Sequence, residues 1–321
     1  MAITTDASIA QAKTTLLAQN LLTNLVGRNV LAQFLKSDTQ FLGATGTYGQ
    51  GATISIPVVP TVTTNIVSAT GGAVTYPKQT LTNVSLTLDY IAQSSFGINE
   101  GDLALANVDP KQATIMSAAR NHGFAIEKQM MLVTFNDAGI DANAVGAEGT
   151  AGNYKMLTKI WEGFMNANVP EDMMKVVILP TDIYSELLLD TTVSRILTNP
   201  TAGTLSNGVI LDTLSMKLIP SNACPTSTEL TNLTGTGTNK VGFAFTEDSI
   251  VGAVRRLSTG GNGLGTRQVV VANSDVNIAT RFTESYNPNV VGGELQYNME
   301  TLFGTKIYRP TTVFPVFGGV A

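Results

Sequence analysis

Between positions 8 and 35 apolar residues recur at steps of three and four: Ile9, Ala12, Leu16, Leu17, Leu21, Leu22, Leu25, Val26, Val30, Leu31, Phe34 and Leu35. That spacing predicts an amphipathic helix, or a pair broken near Gly27. Its polar side is mostly Thr, Gln and Asn, so two readings stand side by side: a segment laid against another protein surface, or an ordinary core helix. From residue 41 to residue 90 the pattern changes to period two. Residues 53–58 and 81–90 alternate, joined by Thr-rich and Gly-rich sequence, which predicts a long two-stranded arm. A lone two-stranded ribbon is marginal in water, so this arm is expected to need a partner surface.

Asp109 and Pro110 read as an N-cap followed by proline at the first helical position. Met116, Ala119, Gly123, Ile126, Met130 and Val133 then return at three and four, predicting one amphipathic helix over residues 109–137, ~40 Å long at ~1.5 Å per residue. Beyond 150 the elements alternate. Helices are expected at 154–168 and from Thr181 or Asp182 to 189, and strands at 175–179, 215–219 and 241–245. A short helix is expected from Thr246 or Glu247 to 251, and residues 225–239, rich in Thr, Gly and Asn, read as an exposed loop. Strand patterns close the chain at 268–272, 276–282 and 304–315. The fold class is α+β, with an α/β portion in the middle and a strand-rich end that must pair with earlier sequence. No internal repeat is visible.

Only 13% of residues are charged and 43% are hydrophobic, against ~25% charged in an average soluble domain. Much of the surface is therefore expected to be covered by neighbours. No apolar run approaches the ~18 residues of a spanning helix. The N-terminus carries Asp6 ahead of any base and no continuous apolar stretch, so it does not read as a signal peptide, and assembly in a cytoplasm is expected. The single cysteine, Cys224, rules out an internal disulfide and a multi-thiolate metal site. A net charge of −5 argues against binding nucleic acid by phosphate neutralisation, though not against a container holding DNA by confinement.

Catalytic patterns are missing where they would be looked for. The one histidine, His122, falls in the long helix without a Ser or Cys nucleophile motif beside it, and reads as a packed or helix-surface residue. There is no Gly-x-Ser-x-Gly elbow and no phosphate-cradling P-loop. Gly261, Gly263 and Gly265 precede a strand, whereas a dinucleotide fingerprint needs a helix N-terminus there. Asp102, Asp109, Asp137 and Asp141 lack calcium-loop spacing. The sequons at Asn83 and Asn232 carry no meaning in a cytoplasmic chain. No enzyme activity, cofactor or metal is expected.

The order of segments resembles the major capsid proteins of tailed bacteriophages, the Hong Kong 97 fold. The residues that carry the resemblance lie at 298–311, Asn-Met-Glu-Thr-Leu-Phe-Gly-Thr-Lys-Ile-Tyr-Arg-Pro-Thr, similar to the family's closing strand. Residues 176–188 resemble the strand, proline and helix of its axial domain, 208–222 its Gly-led strand ending in Ser-Asn, and 244–254 its Ala-Phe turn and short helix. The resemblance spans nearly the whole chain. It implies an N-terminal arm (1–43), an extended β-hairpin loop (44–90), a peripheral domain with a long spine helix (91–142 and 276–321), and an α/β axial domain (143–275).

The residues expected to serve assembly follow from it: Met116, Ala119, Ile126, Met130 and Val133 on the spine helix; Ile54, Ile56, Val58, Lys78, Leu86 and Leu88 in the extended loop; Leu16, Leu17, Leu21 and Leu25 in the arm. Lys78 invites comparison with family members whose loop lysine forms an isopeptide bond, although a lone lysine ordinarily serves solubility. The expected partners are further copies of the chain in pentamers and hexamers, portal, scaffolding and decoration proteins, and packaged double-stranded DNA bound without sequence preference. The expected location is the virion capsid. About 43 residues precede the loop and only Asp6, Lys13 and Arg28 are charged among the first 30, so a fused scaffold helix is not expected and a separate scaffolding protein is. The alternatives are an encapsulin-like compartment enclosing protein cargo, an extracellular polymer subunit, and a Thr-rich enzyme with dispersed catalytic groups.

Overall fold

The computed structural model describes residues 30–37, 53–58, 82–101, 111–147, 151–190, 214–234, 239–255, 257, 266–273, 278–291 and 293–318. A 3-10 turn, Leu31–Phe34, leads into β1 (Lys36–Ser37). The ribbon strands β2 (Thr53–Val58) and β3 (Thr82–Thr87) follow, then β4 (Tyr90–Asn99), α1 (Lys111–Phe135), a second 3-10 turn (Ala138–Asn143) and β5 (Val145–Gly146). Next come α2 (Tyr154–Asn166), β6 (Lys175–Leu179), α3 (Thr181–Leu189), β7 (Met216–Pro220), β8 (Gly242–Thr246) and β9 (Ile250–Arg255). The chain ends in β10 (Thr266–Asn273), β11 (Ile278–Asn287), β12 (Glu294–Ile307) and β13 (Val313–Phe317).

Two sheets and the ribbon account for these strands. The larger sheet runs β1-β9-β12-β11-β10, with β4 on the other side of β12. At 14 residues β12 is long enough to change neighbours along its length. Arg281–Asn287 of β11 flank its first half and Ile250–Arg255 of β9 its second, while β4 pairs with Glu294 through Phe303 on the opposite edge. The smaller sheet runs β5-β13-β8-β6-β7. Its central strands β6, β8 and β13 are buried at every position, as a sheet covered on both faces requires.

One core cluster fills the space between the sheets, joining Ile126, Met130, Met131 and Phe135 of α1 to Val176, Phe243, Phe245, Phe303 and Ile307. Phe135 and Phe243 stack with ring centroids 3.7 Å apart. A second cluster lies under α2 and α3, where Leu157, Ile160, Phe164, Ile183 and Leu187 cover Val177, Leu179, Ala244 and Val316. The ends of α2 are written in local chemistry. The Asn153 side chain accepts from the Met156 N–H at 3.0 Å, an N-cap. Asn168 adopts a left-handed φ of 54° and the Val169 N–H reaches back to the Phe164 carbonyl at 3.1 Å, which stops the helix.

Four expectations are corrected. The short helix over residues 246–251 is a turn followed by β9. The Ser249 hydroxyl stands 2.6 Å from both Thr246 Oγ1 and Thr312 Oγ1, and Ile250 onward pairs with β12. Side-chain bonds to nearby backbone and neighbouring hydroxyls compete with helix formation there. The closing strand begins ten residues earlier than 304 and is interrupted at Pro310–Thr312, where proline offers no N–H to a ladder. Of the loop expected to be exposed, the described residues 225–234 are folded onto α1 and its end: Leu230 and Ser227 are buried, Lys128 Nζ meets Glu229 at 2.6 Å, and Asn232 N donates to Asn136 Oδ1 at 2.9 Å. Finally, the tail of the expected N-terminal helix is a 3-10 turn whose Leu31, Ala32 and Phe34, with Leu35 after it, enter this chain's own core.

Candidate assembly surfaces

The long helix lies on the larger sheet through small and polar contacts at its N-terminal half. Ala119 lets it approach, and Ile115 joins Phe282, Tyr297 and Met299. Within this interface His122 is fully buried. Its Nδ1 is 2.8 Å from Ser94 Oγ and its Nε2 is 3.2 Å from Thr301 Oγ1, which is in turn 2.9 Å from Thr280 Oγ1. Further along, Thr134 donates to Thr305 at 2.7 Å. Burial holds the imidazole down at about 4, so it is neutral at pH 7. A neutral imidazole locked between hydroxyls in a closed interface ties helix to sheet; Ser94 and Thr301 occupy both ring nitrogens.

Among the spine-helix residues named from sequence, Ala119, Ile126 and Met130 are buried and Met116 and Val133 are half-buried. Ile126 and Met130 join the core between the sheets, whereas Ala119 packs with Phe282 and Tyr297. The outer side of the helix leaves Phe124 45% exposed. Sequence periodicity left out three buried polar residues of α1, His122, Glu127 and Thr134, whose polarity removed them from the apolar pattern, and it also left out buried Ile115, Met131 and Phe135.

The ribbon root sits on the face of the larger sheet opposite α1. Leu86 and Leu88 are buried with Val251 and Ala253, and half-buried Ile56, Leu302 and Tyr308 complete the cluster. The Tyr308 hydroxyl donates to the Pro57 carbonyl at 2.8 Å. Of the extended-loop residues, then, Ile56, Leu86 and Leu88 pack against this chain itself, and Val58 is half-buried. Ile54 is placed in β2 opposite Leu86 by its backbone. Lys78 lies outside the described residues, as do Leu16, Leu17, Leu21 and Leu25. The alternation of the ribbon directs Thr53, Ser55, Asn83, Ser85 and Thr87 to solvent.

Elsewhere the larger sheet presents a polar, mostly uncharged face. Arg281 Nε binds Glu300 at 2.8 Å and Asn298 Nδ2 donates to Glu300 at 3.0 Å. Large apolar side chains remain open to solvent at Ile91 (61%), Leu189 (81%) and Val291 (94%). Cys224 is buried and its thiol is pushed up by desolvation, which makes it an inert filler. Among the described residues no group of three His, Cys, Asp or Glu side chains is placed to hold a metal, and no helix is long and apolar enough to cross a membrane.

No protein-family model matches the sequence, and no curated protein matches it either. Solved structures do match in three dimensions. The chain superposes on the capsid asymmetric unit of cyanophage Pam1 with a TM-score of 0.60 at 12% identity, covering 89% of this chain and 88% of that one. On the capsid structure of cyanophage P-SCSP1u the TM-score is 0.56 at 13% identity, covering 91% and 89%. A virus-like particle from Pyrococcus furiosus gives 0.50 at 9% identity over 92% and 95%. At such identities the likeness speaks to architecture, and it is end to end: this chain has the mixed α/β fold of phage capsid proteins.

Proposed function

We propose that the chain is the major capsid protein of a tailed bacteriophage, a subunit that self-assembles into an icosahedral head enclosing double-stranded DNA. The observation that carries the reading is that the likeness to phage capsids spans about nine tenths of both chains, so the entire architecture is shared and not one module of it. The low charge content supports it, as do the exposed apolar positions on several elements.

In this reading α1, β4, β11 and β12 belong to the peripheral domain (91–142 and 276–321) and α2, α3, β6, β7 and β8 to the axial domain (143–275), with β9 and β10 of the axial range joining the larger sheet and β13 of the peripheral range joining the smaller one; residues 44–90 are the extended loop, and residues 1–43 the arm. The work of the protein is burial of surface between copies, in pentamers and hexamers, not a chemical step. Shell interfaces are individually modest and act by repetition under closed symmetry. Portal and scaffolding proteins, and in some particles decoration proteins, complete the set of partners. DNA is held by confinement, in keeping with the net charge of −5.

A compartment holding protein cargo is the second reading, kept because a virus-like particle from Pyrococcus furiosus is among the similar structures. Expression of this chain by itself and with its neighbouring genes, followed by negative-stain microscopy and nuclease digestion, tests both. Closed shells containing nuclease-protected DNA in infected cells are expected. Single particles under every condition would sink the shell reading, and shells that retain a protein cargo and no DNA would favour the compartment. Uniform shells of one size from the chain alone would remove the need for a scaffolding partner.

A further inference from the structure

We propose that Glu127 is a protonation-controlled latch: its carboxyl group secures residues 30–35 in the core when protonated and loosens them when ionised. Glu127 lies on the buried side of α1 and is 1% exposed. Its carboxyl accepts from the N–H groups of Val30 and Leu31, the first donors of the 3-10 turn, and from Ser221 Oγ at 3.4 Å. Leu31, Ala32, Phe34 and Leu35 close over it, and the backbone then continues into β1, which pairs with Val251 and Gly252 of β9. This one side chain therefore joins the middle of the long helix to the backbone of residues 30 and 31.

The charges around it are already committed. Lys128, next on α1, binds Glu229 at 2.6 Å. Lys217 of β7 lies with Nζ 4.8 Å from the centre of the Phe34 ring, and Lys240 donates to the Asn222 carbonyl at 2.9 Å. Asp182 of α3 and the Cys224 thiol complete the titratable groups in this part of the core, and the Glu127 and Asp182 charges push the thiol up further. His122, one and a half turns earlier on α1, is held by Ser94 and Thr301. Among the described residues, the partners of Glu127 are thus two backbone amides and a hydroxyl, not a cation. Burial outweighs those donors and pushes its carboxyl up to about 7.

The direction of coupling follows. The docked arrangement binds the proton more tightly than any arrangement in which Glu127 meets water, where it titrates at its ordinary 4.5. Docking of residues 30–35 is therefore strongest at and below about 4.5 and is weakened as pH rises through about 7. Between pH 6 and pH 8 the docking equilibrium should fall about tenfold, since one pKa unit is one decade. The inference does not rest on the shell reading and is measured on the unassembled chain.

The test is hydrogen–deuterium exchange of the full chain at pH 6 and pH 8, corrected for the intrinsic exchange rate and read on the peptide covering residues 30–35. Local opening about tenfold more frequent at pH 8 is expected, while peptides from β6 and β8 show no such difference. Glu127→Gln keeps an acceptor and cannot ionise, so its opening should not change with pH. Ser221→Ala removes one donor to the carboxylate and should move the midpoint upward. Equal corrected opening of the unaltered chain at the two pH values overturns the proposal, as does a pH dependence retained by Glu127→Gln. Should that variant not fold, an unmoved midpoint in Ser221→Ala overturns it equally.

Discussion

The Thr87 carbonyl occupies the space that a side chain on Gly304 would need, so that the end of the ribbon crosses β12 where the strand has no side chain; a Cβ built on Gly304 would collide with that oxygen and lie 2.9 Å from Thr87 C. Glycine is used here for close backbone approach and not for an unusual φ. Gly304→Val should lift the ribbon root, disturb the Leu86 and Leu88 contacts, and cost about 1–3 kcal/mol, as overpacking does. Thermal unfolding of the unassembled chain measures it, with Gly304→Ala expected to show a smaller loss of the same sign. A melting temperature equal to that of the unaltered protein would show that the ribbon is free to move aside.

Ile126 is completely buried between the two sheets. Ile126→Asp places a carboxylate there without a partner, at a cost of several kcal/mol, and is expected to send the chain into the insoluble fraction. Ile126→Val, which removes one methylene, should cost about 1 kcal/mol and remain soluble. Solubility and yield of the two variants, compared with the unaltered chain, decide whether α1 is packed at this position as described.

His122 couples stability to pH in the opposite sense to Glu127. Its folded-state pKa of about 4 lies below the ordinary 6.5, so the unfolded chain binds the proton first. Stability from keeping His122 neutral is fully present above about 6.5 and is lost as pH falls through about 4, a span worth about 3 kcal/mol. Because the opposite contribution of Glu127 is common to both proteins, the test is their difference in denaturant unfolding: between pH 7 and pH 4.5 the unaltered chain should lose about 2–3 kcal/mol relative to His122→Gln, which is the less stable of the two at pH 7. Identical pH slopes in the two proteins would contradict the burial of a neutral imidazole between Ser94 and Thr301.

In the proposed reading residues 61–76, which lie outside the described residues, are part of the extended loop; the strands that flank them are anchored at their root by Leu86, Leu88 and Tyr308. Deletion of residues 61–76 is expected to leave the unassembled chain folded, with an unchanged circular dichroism spectrum, and to abolish heat-stable shells. Particles from the shortened chain as heat-resistant as those of the full one would show that the loop does not bridge subunits.

Local pattern by itself determined the elements whose neighbours merely confirm a face: the ribbon alternation over 53–58 and 82–87, the apolar run Lys175–Leu179 closed by Pro180, and the helices capped at Asn153 and started at Thr181. The resemblance in segment order extended this to the whole architecture, because capsid-like order is carried along the entire chain. Tertiary structure decided what lies opposite what. The strand Tyr90–Asn99 is broken in sequence by Ser94, Ser95 and Gly97, and it becomes a strand because ten residues of β12, some two hundred positions later, supply its ladder. The turn at 246–249 is helical in local pattern and is overruled by hydroxyls meeting from Thr312. His122, Thr301, Thr280 and Glu127 interrupt the apolar periodicity, so the pattern alone does not reveal their burial. Their burial is stable only because each finds a hydrogen-bond partner distant in sequence, 179 positions away for His122 and Thr301 and 97 for Glu127 and Val30. A residue's own periodicity records how much of it meets water, whereas a buried polar group is satisfied by a pair, and the pair exists only once the chain has folded.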